Sequence, residues 1–95
     1  EPEETVVIEG FTLFQNYPNP FNPSTTIRYH LPSAGKVVLD VYNLSGKKVA
    51  ELVNEIQNSG EQTVTFKAKD LPTGVYFYRL KAGHQTVTQK MLLVR

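Results

Sequence analysis

Ninety-five residues, 40% of them apolar and 11% aromatic, suffice for one small domain with its own core. Ten basic against nine acidic side chains leave a net charge of +1, and the cations are spread along the chain, which argues against a nucleic-acid partner. The lack of cysteine excludes disulfides and thiolate metal sites, and no run of 18 apolar residues exists to span a membrane.

Glu1, Glu3, Glu4 and Glu9 open the chain beside Pro2, with no basic or apolar region of the kind a signal peptide needs. Residues 1–10 therefore read as the end of an acidic linker and residues 11–95 as the folded domain, a fragment from the C-terminal end of a longer protein. Beyond the linker, ten positive charges face five negative ones.

From there the chain is written in short runs rich in Val, Thr, Tyr, Phe and Ile, divided by Gly, Pro, Asn or Asp. They predict strands at 4–8, 11–16, 25–31, 36–43, 47–53, 61–68, 75–82 and 85–94. No stretch has a convincing helical period, and Val49 to Ile56 comes closest. Between the second and third runs lies Asn16-Tyr17-Pro18-Asn19-Pro20-Phe21-Asn22-Pro23. Its three prolines fix φ near about −65° and remove backbone donors, which excludes helix and central strand. Pro18, Asn19, Pro20, Phe21, Asn22 and Pro23 thus form a structural entry motif, expected as a stiff, extended connector, with Tyr17 and Phe21 covering one end of the core.

Alternation assigns faces to the later runs. Ile27, Tyr29 and Leu31 are expected in the core, as are Val37, Leu39 and Val41, then Val64 and Phe66, then Tyr76, Tyr78 and Leu80, because their alternating neighbours include the charges. The last run is ambiguous. Val87, Met91 and Leu93 share parity with Gln89, while Leu92 and Val94 lie with Lys90, which suggests a bulge or burial on both sides. About seven such strands predict an all-β, immunoglobulin-like antiparallel sandwich. In that setting Gly74-Val75-Tyr76 reads either as a tyrosine corner, its phenol bonded to upstream backbone, or as an ordinary core aromatic.

The chain offers little chemistry. His30 and His84 stand without a carboxylate or second His at ligand spacing, so no metal site is expected. The serines sit in turns outside any nucleophile elbow, the carboxylates do not pair, and no phosphate-binding loop occurs. No catalytic residue, metal or cofactor is assigned, and the domain is read as no enzyme. Sugar binding is the physical competitor: Tyr42 and Phe77, opposite the core faces, are the sugar-contact candidates of a carbohydrate-binding or adhesive accessory module. Against that reading, the chain has no Trp.

Five segments now stand in order: Phe14 to Pro23; Thr26-Ile27-Arg28-Tyr29; Val41-Tyr42-Asn43-Leu44-Ser45-Gly46-Lys47-Lys48-Val49; Leu71 to Leu80; and Lys90-Met91-Leu92-Leu93-Val94-Arg95. Together they closely resemble the type A C-terminal sorting domain of the type IX (Por) secretion system, over residues 11–95. The Ig-like domain of flagellar hook-capping proteins is a second resemblance, sharing the Pro-Asn-Pro entry and the Gly-x-Tyr strand.

The first resemblance implies a non-catalytic signal that carries a passenger through the periplasm of a Gram-negative bacterium to the cell surface or outside. Its implied partners are type IX translocon components and a sortase-like C-terminal signal peptidase, with the removal site around Glu1 to Gly10. Its signal motifs fall on Gly46, Gly74, Tyr76, Gly83 and the tail Lys90, Met91, Leu92, Leu93, Val94 and Arg95. No nucleic acid, cofactor or transmembrane segment is implied, and the isolated domain is expected as a monomer. The tail strand ending in Val94-Arg95 reads either as an accessible edge for recognition by strand addition or as a fully paired, inert strand.

Overall fold

A computed structural model describes residues 5–8 and 10–95. Among them the chain forms eight strands: β1 (Thr5–Ile8), β2 (Phe11–Phe14), β3 (Ser24–Leu31), β4 (Gly35–Asn43), β5 (Lys48–Gln57), β6 (Gly60–Lys67), β7 (Gly74–Ala82) and β8 (Gln85–Leu93). They make two four-stranded antiparallel sheets, β1-β2-β3-β6 and β5-β4-β7-β8, packed face to face as the immunoglobulin-like sandwich requires. The expected count of about seven is exceeded by one.

The alternation is realised almost residue by residue. Ile27, Tyr29 and Leu31 of β3 and Val37, Leu39 and Val41 of β4 are buried, and so are Tyr76, Tyr78 and Leu80 of β7. Phe66 is fully buried and Val64 half-buried against the same core. The last strand needs neither a bulge nor burial on both sides. Val87, Gln89, Met91 and Leu93 all point inward, and Leu92 and Val94 are left 37% and 44% exposed. Gln89 is tolerated there because its amide donates to the Leu13 carbonyl at 3.1 Å, which satisfies a buried polar group across the sheets.

Two strand ends differ from expectation. β5 continues to Gln57 because β4 pairs with it over Gly35↔Gln57, Lys36↔Ile56, Val37↔Glu55 and Val38↔Asn54, and these ladder bonds override the polar, loop-like composition. β2 stops at Phe14, two residues early, because the backbone that follows turns inward to a side chain of the other sheet.

The Pro-rich segment is a folded strap and not an extended connector. Its three X–Pro peptide bonds are cis. Tyr17 exchanges both backbone hydrogen bonds with Thr26 of β3, at 3.0 and 2.9 Å, while Phe21 bridges to Leu93 of β8. The strap thus ties the two sheets together. Phe21 is 2% exposed, its ring 6.0 Å from that of Phe66, as expected of a plug at one end of the core. Tyr17 departs from expectation: it is 72% exposed. Pairing opposite Thr26, which sits on the outer face of β3, sends its ring outward with that residue.

Two predictions follow from this packing. Phe21→Ala is expected to lower stability by about 3–5 kcal/mol, while Tyr17→Ala stays within about 0.5 kcal/mol, both read from urea denaturation. Tyr29 makes the alkaline limb. Burial pushes its phenol above the ordinary 10.0 and the Glu55 carboxylate adds to this, while the hydrogen bond it donates to Gln57 opposes them. The folded state therefore holds this proton more tightly than the unfolded chain, and its contribution is complete below about pH 10 and lost as pH rises further. Tyr29→Phe is expected to flatten the fall of the urea midpoint above about pH 10.

Candidate functional site

The residues singled out by resemblance gather mostly at one end of the second sheet. The β4–β5 turn is built on Asn43, whose side-chain oxygen accepts hydrogen bonds from the Ser45 and Lys47 amides at 3.1 and 2.9 Å and from the Ser45 hydroxyl at 2.9 Å. Gly46 closes it with φ near +89°, a region that side-chain-bearing residues adopt at a cost, although a Cβ there would meet nothing within 4 Å. Its glycine is demanded by backbone conformation, not by space.

Beside that turn β7 begins, and Gly74 pairs with Leu93 of the tail. Nothing in the geometry demands glycine at 74, since a Cβ would sit 3.9 Å from Tyr76 Cε1, an ordinary contact. Tyr76 is buried and donates its hydroxyl to the Pro72 carbonyl at 2.6 Å, four residues upstream. That bond is the tyrosine corner, and it decides between the two readings of this residue. Gly83 lies apart, in the β7–β8 turn at the opposite end of the sheet, with φ near +61°.

The tail is locked instead of free. Met91 and Leu93 are buried, and Lys90 is exposed. Along the outer edge of β8, the Lys90 carbonyl accepts from Gln15 Nε2 at 2.8 Å and the Leu92 amide donates to Asn19 Oδ1 at 3.0 Å. Phe21 then completes the edge: its amide donates to the Leu92 carbonyl and its carbonyl accepts from the Val94 amide, both at 3.0 Å. Arg95 turns back onto the β6–β7 connection, its amide to Thr73 Oγ1 at 3.0 Å and its guanidinium to the Ala68 carbonyl at 2.5 Å. Of the two readings of the tail, the accessible edge fails from Lys90 to Val94, where Gln15 and the strap bond along it. The cause is a residue pattern, amide side chains at 15 and 19 and a paired backbone at 21, that no local signal reports.

Sequence reasoning missed the interaction that places the strap. The Tyr78 hydroxyl lies between the sheets, accepting from the Asn16 amide at 2.8 Å and donating to the Phe14 carbonyl at 2.7 Å. Asn16 is itself 2% exposed, its side-chain amide donating to Thr25 Oγ1 at 3.0 Å and to the Pro18 carbonyl at 3.1 Å. The Thr25 hydroxyl donates to that same carbonyl at 2.8 Å. The signal available in the sequence was Asn16 immediately ahead of the proline run, a polar residue positioned to bond backbone that proline leaves without donors.

The sugar-contact candidates form a cross-strand pair, Tyr42 opposite Phe77, both half-buried on the outer face of the second sheet. The Arg79 guanidinium covers the Tyr42 ring at 4.5 Å from its centre and donates to its hydroxyl, which in turn donates to Asp40 Oδ2 at 3.3 Å. Asp40 is 4% exposed although it lies on this outer face, screened by Tyr42 and by Lys48, whose Nζ is 3.9 Å from Oδ1. A ring face already engaged by a cation is poorly placed to stack on a sugar. His30 and His84 are exposed, and no group of three potential metal-ligating side chains exists among the described residues.

The family model described as a secretion system C-terminal sorting domain matches residues 15–94. No curated protein matches the chain, and no solved structure does. The matched span runs from the strap through the tail, the two segments that the hydrogen bonds tie together.

Removing the Tyr78 hydroxyl strands a buried carbonyl and a buried amide at once. Tyr78→Phe is expected to lower stability by about 1–3 kcal/mol in urea denaturation, and to speed hydrogen exchange at Asn16.

Proposed function

The chain belongs to the secretion system C-terminal sorting domains, and from that premise we propose that the secretion machinery reads a folded surface at the tail end of the second sheet. The domain is a sorting signal for type IX secretion, delivered to the cell surface or outside, and its family is not catalytic. No helix among the described residues is long and apolar enough to cross a membrane.

The reading beyond this is ours. Translocon components recognise the Gly46 turn, Gly74, Tyr76 and the tail Lys90 to Arg95 as one composite surface, after the passenger has reached the periplasm. A sortase-like C-terminal signal peptidase then removes the domain within the acidic segment 1–10, of which Thr5–Ile8 pair with β2 as β1 and so belong to the folded sheet more than to a linker, and the free domain is monomeric. Gly83, at the far end of the sheet, serves its turn and not the recognised surface. The observation that carries this is the occupied edge of β8. With Gln15, Asn19 and Phe21 already bonded to the Lys90 carbonyl, to the Leu92 amide and carbonyl and to the Val94 amide, strand addition has no continuous ladder to join there. Recognition then falls to outward side chains, Lys90, Leu92 and Val94, held in place by the buried Met91 and Leu93 between them.

The test is a fusion of residues 1–95 behind a signal peptide and a reporter, in a host with the type IX machinery. The intact fusion is expected at the surface or in the medium. Lys90→Glu and Leu92→Asp alter only exposed positions, so they are expected to trap the reporter in the periplasm while the purified domains keep the wild-type circular dichroism and melting curve. Secretion at the wild-type level by the double variant, with the fold intact, would show that the tail's outward side chains are not read.

A further inference from the structure

The first sheet carries a cleft that the sorting role does not use. Between Leu13↔Tyr29 and Tyr17↔Thr26, β2 and the strap spend three residues, 14 to 16, against two on β3, because Asn16 turns inward to Tyr78. The extra residue opens the outer face into a cleft of about 400 Å³ lined by Gln15, Tyr17, Thr26 and Arg28. That volume lies within the range of roughly 300–1,000 Å³ typical of small-molecule sites.

Its walls are chemically specific. The Tyr17 ring is 72% exposed, yet its backbone is held by two hydrogen bonds to Thr26. An aromatic surface so held costs little ordering when a partner stacks on it. Opposite it, Arg28 is fixed twice, its guanidinium 3.9 Å from the centre of the Phe14 ring and 2.5 Å from Glu61 Oε2. Its other N–H groups make no hydrogen bond among the described residues. Thr26 adds a hydroxyl to the lining, and on the next strand of the same sheet Thr26 pairs with Thr65 and Arg28 with Thr63.

From this we propose that the cleft binds a neutral saccharide, one sugar ring stacking on Tyr17 while its hydroxyls bond to Arg28, Glu61 and Thr26. A pyranose presents an apolar C–H face and a rim of hydroxyls that both donate and accept. An exposed ring beside an arginine–carboxylate pair matches both halves of that pattern. The local charge favours neutral over acidic sugars. Glu61 compensates Arg28, so an anionic ligand gains no net attraction and displaces an existing ion pair. The site is distinct from the Tyr42 and Phe77 pair, whose tyrosine face Arg79 already covers. The cleft adjoins the tail through Gln15, which lines it and also donates to the Lys90 carbonyl, while the proposed contacts Tyr17, Thr26 and Arg28 all lie on the first sheet and its strap.

The test titrates the isolated 95-residue chain with a glucose trisaccharide, an N-acetylglucosamine trisaccharide and glucuronate, following backbone amides by NMR. At least one neutral sugar is expected to give saturable shifts centred on Tyr17, Thr26 and Arg28, insensitive to salt. Tyr17→Ala is expected to weaken that binding about tenfold or abolish it, with an unchanged melting curve and unchanged secretion of the reporter fusion. Thr26→Val is expected to weaken it without moving the ring. The absence of saturable shifts with every neutral sugar, or shifts that persist in Tyr17→Ala, would overturn the proposal. Preferential, salt-sensitive binding of glucuronate would overturn it too, by showing Arg28 acting as an anion receptor. Loss of secretion in Tyr17→Ala without any sugar binding would reassign the ring to a protein contact.

Discussion

A single phenol hydroxyl between the two sheets governs how this sandwich is closed. Tyr78 stands on β7 of the second sheet, and its oxygen holds the Phe14 carbonyl and the Asn16 amide at the end of β2 in the first. Both groups would otherwise be left without a partner in the interior, at about 1–3 kcal/mol each. By satisfying them the hydroxyl permits β2 to leave the ladder early. That departure sends Asn16 inward, starts the strap at Tyr17, and determines on which side of the domain the proline run lies.

From that departure two surfaces arise. On the second sheet Gln15 and the strap residues Asn19 and Phe21 bond along the end of β8, so the tail edge is covered from Lys90 to Val94. Filling an edge removes the commonest hazard of a small β-domain, pairing with an unrelated strand. In the recognition proposed above, it leaves the outward side chains Lys90, Leu92 and Val94 to be read. On the first sheet the same departure leaves a gap at the outer face, bordered by an exposed tyrosine that its backbone cannot turn away. One buried bond thus shapes both the covered tail edge and the cleft.

Buried polar groups do the specifying throughout. Gln89 to the Leu13 carbonyl and Asn16 to Thr25 and Pro18 each fix one partner across a seam that apolar packing alone leaves free to slide. Tyr76 bonded to Pro72 fixes the β6–β7 connection, against which Arg95 also closes. The aliphatic core supplies the driving force. These few polar contacts select the register in which it acts.

The sequence by itself determined the elements, the faces and the family. Strand positions, the inward sets on β3, β4 and β7, and the burial of Phe21 follow from alternation and from proline, because these are rules of adjacent residues. The ordered motifs from Phe14 to Arg95 pointed to the sorting domains before any fold was known. Only the tertiary structure decided which edge is filled, because that depends on Gln15 and Asn19 meeting Lys90 and Leu92 more than seventy residues away. It alone turned Tyr17 outward, since the ring follows a backbone pair with Thr26 and not its own hydrophobicity. It alone explained Gln89 in the core, where parity gave the position but not the carbonyl that makes it tolerable. Local periodicity fixes which way a side chain points, and the fold decides what it finds there.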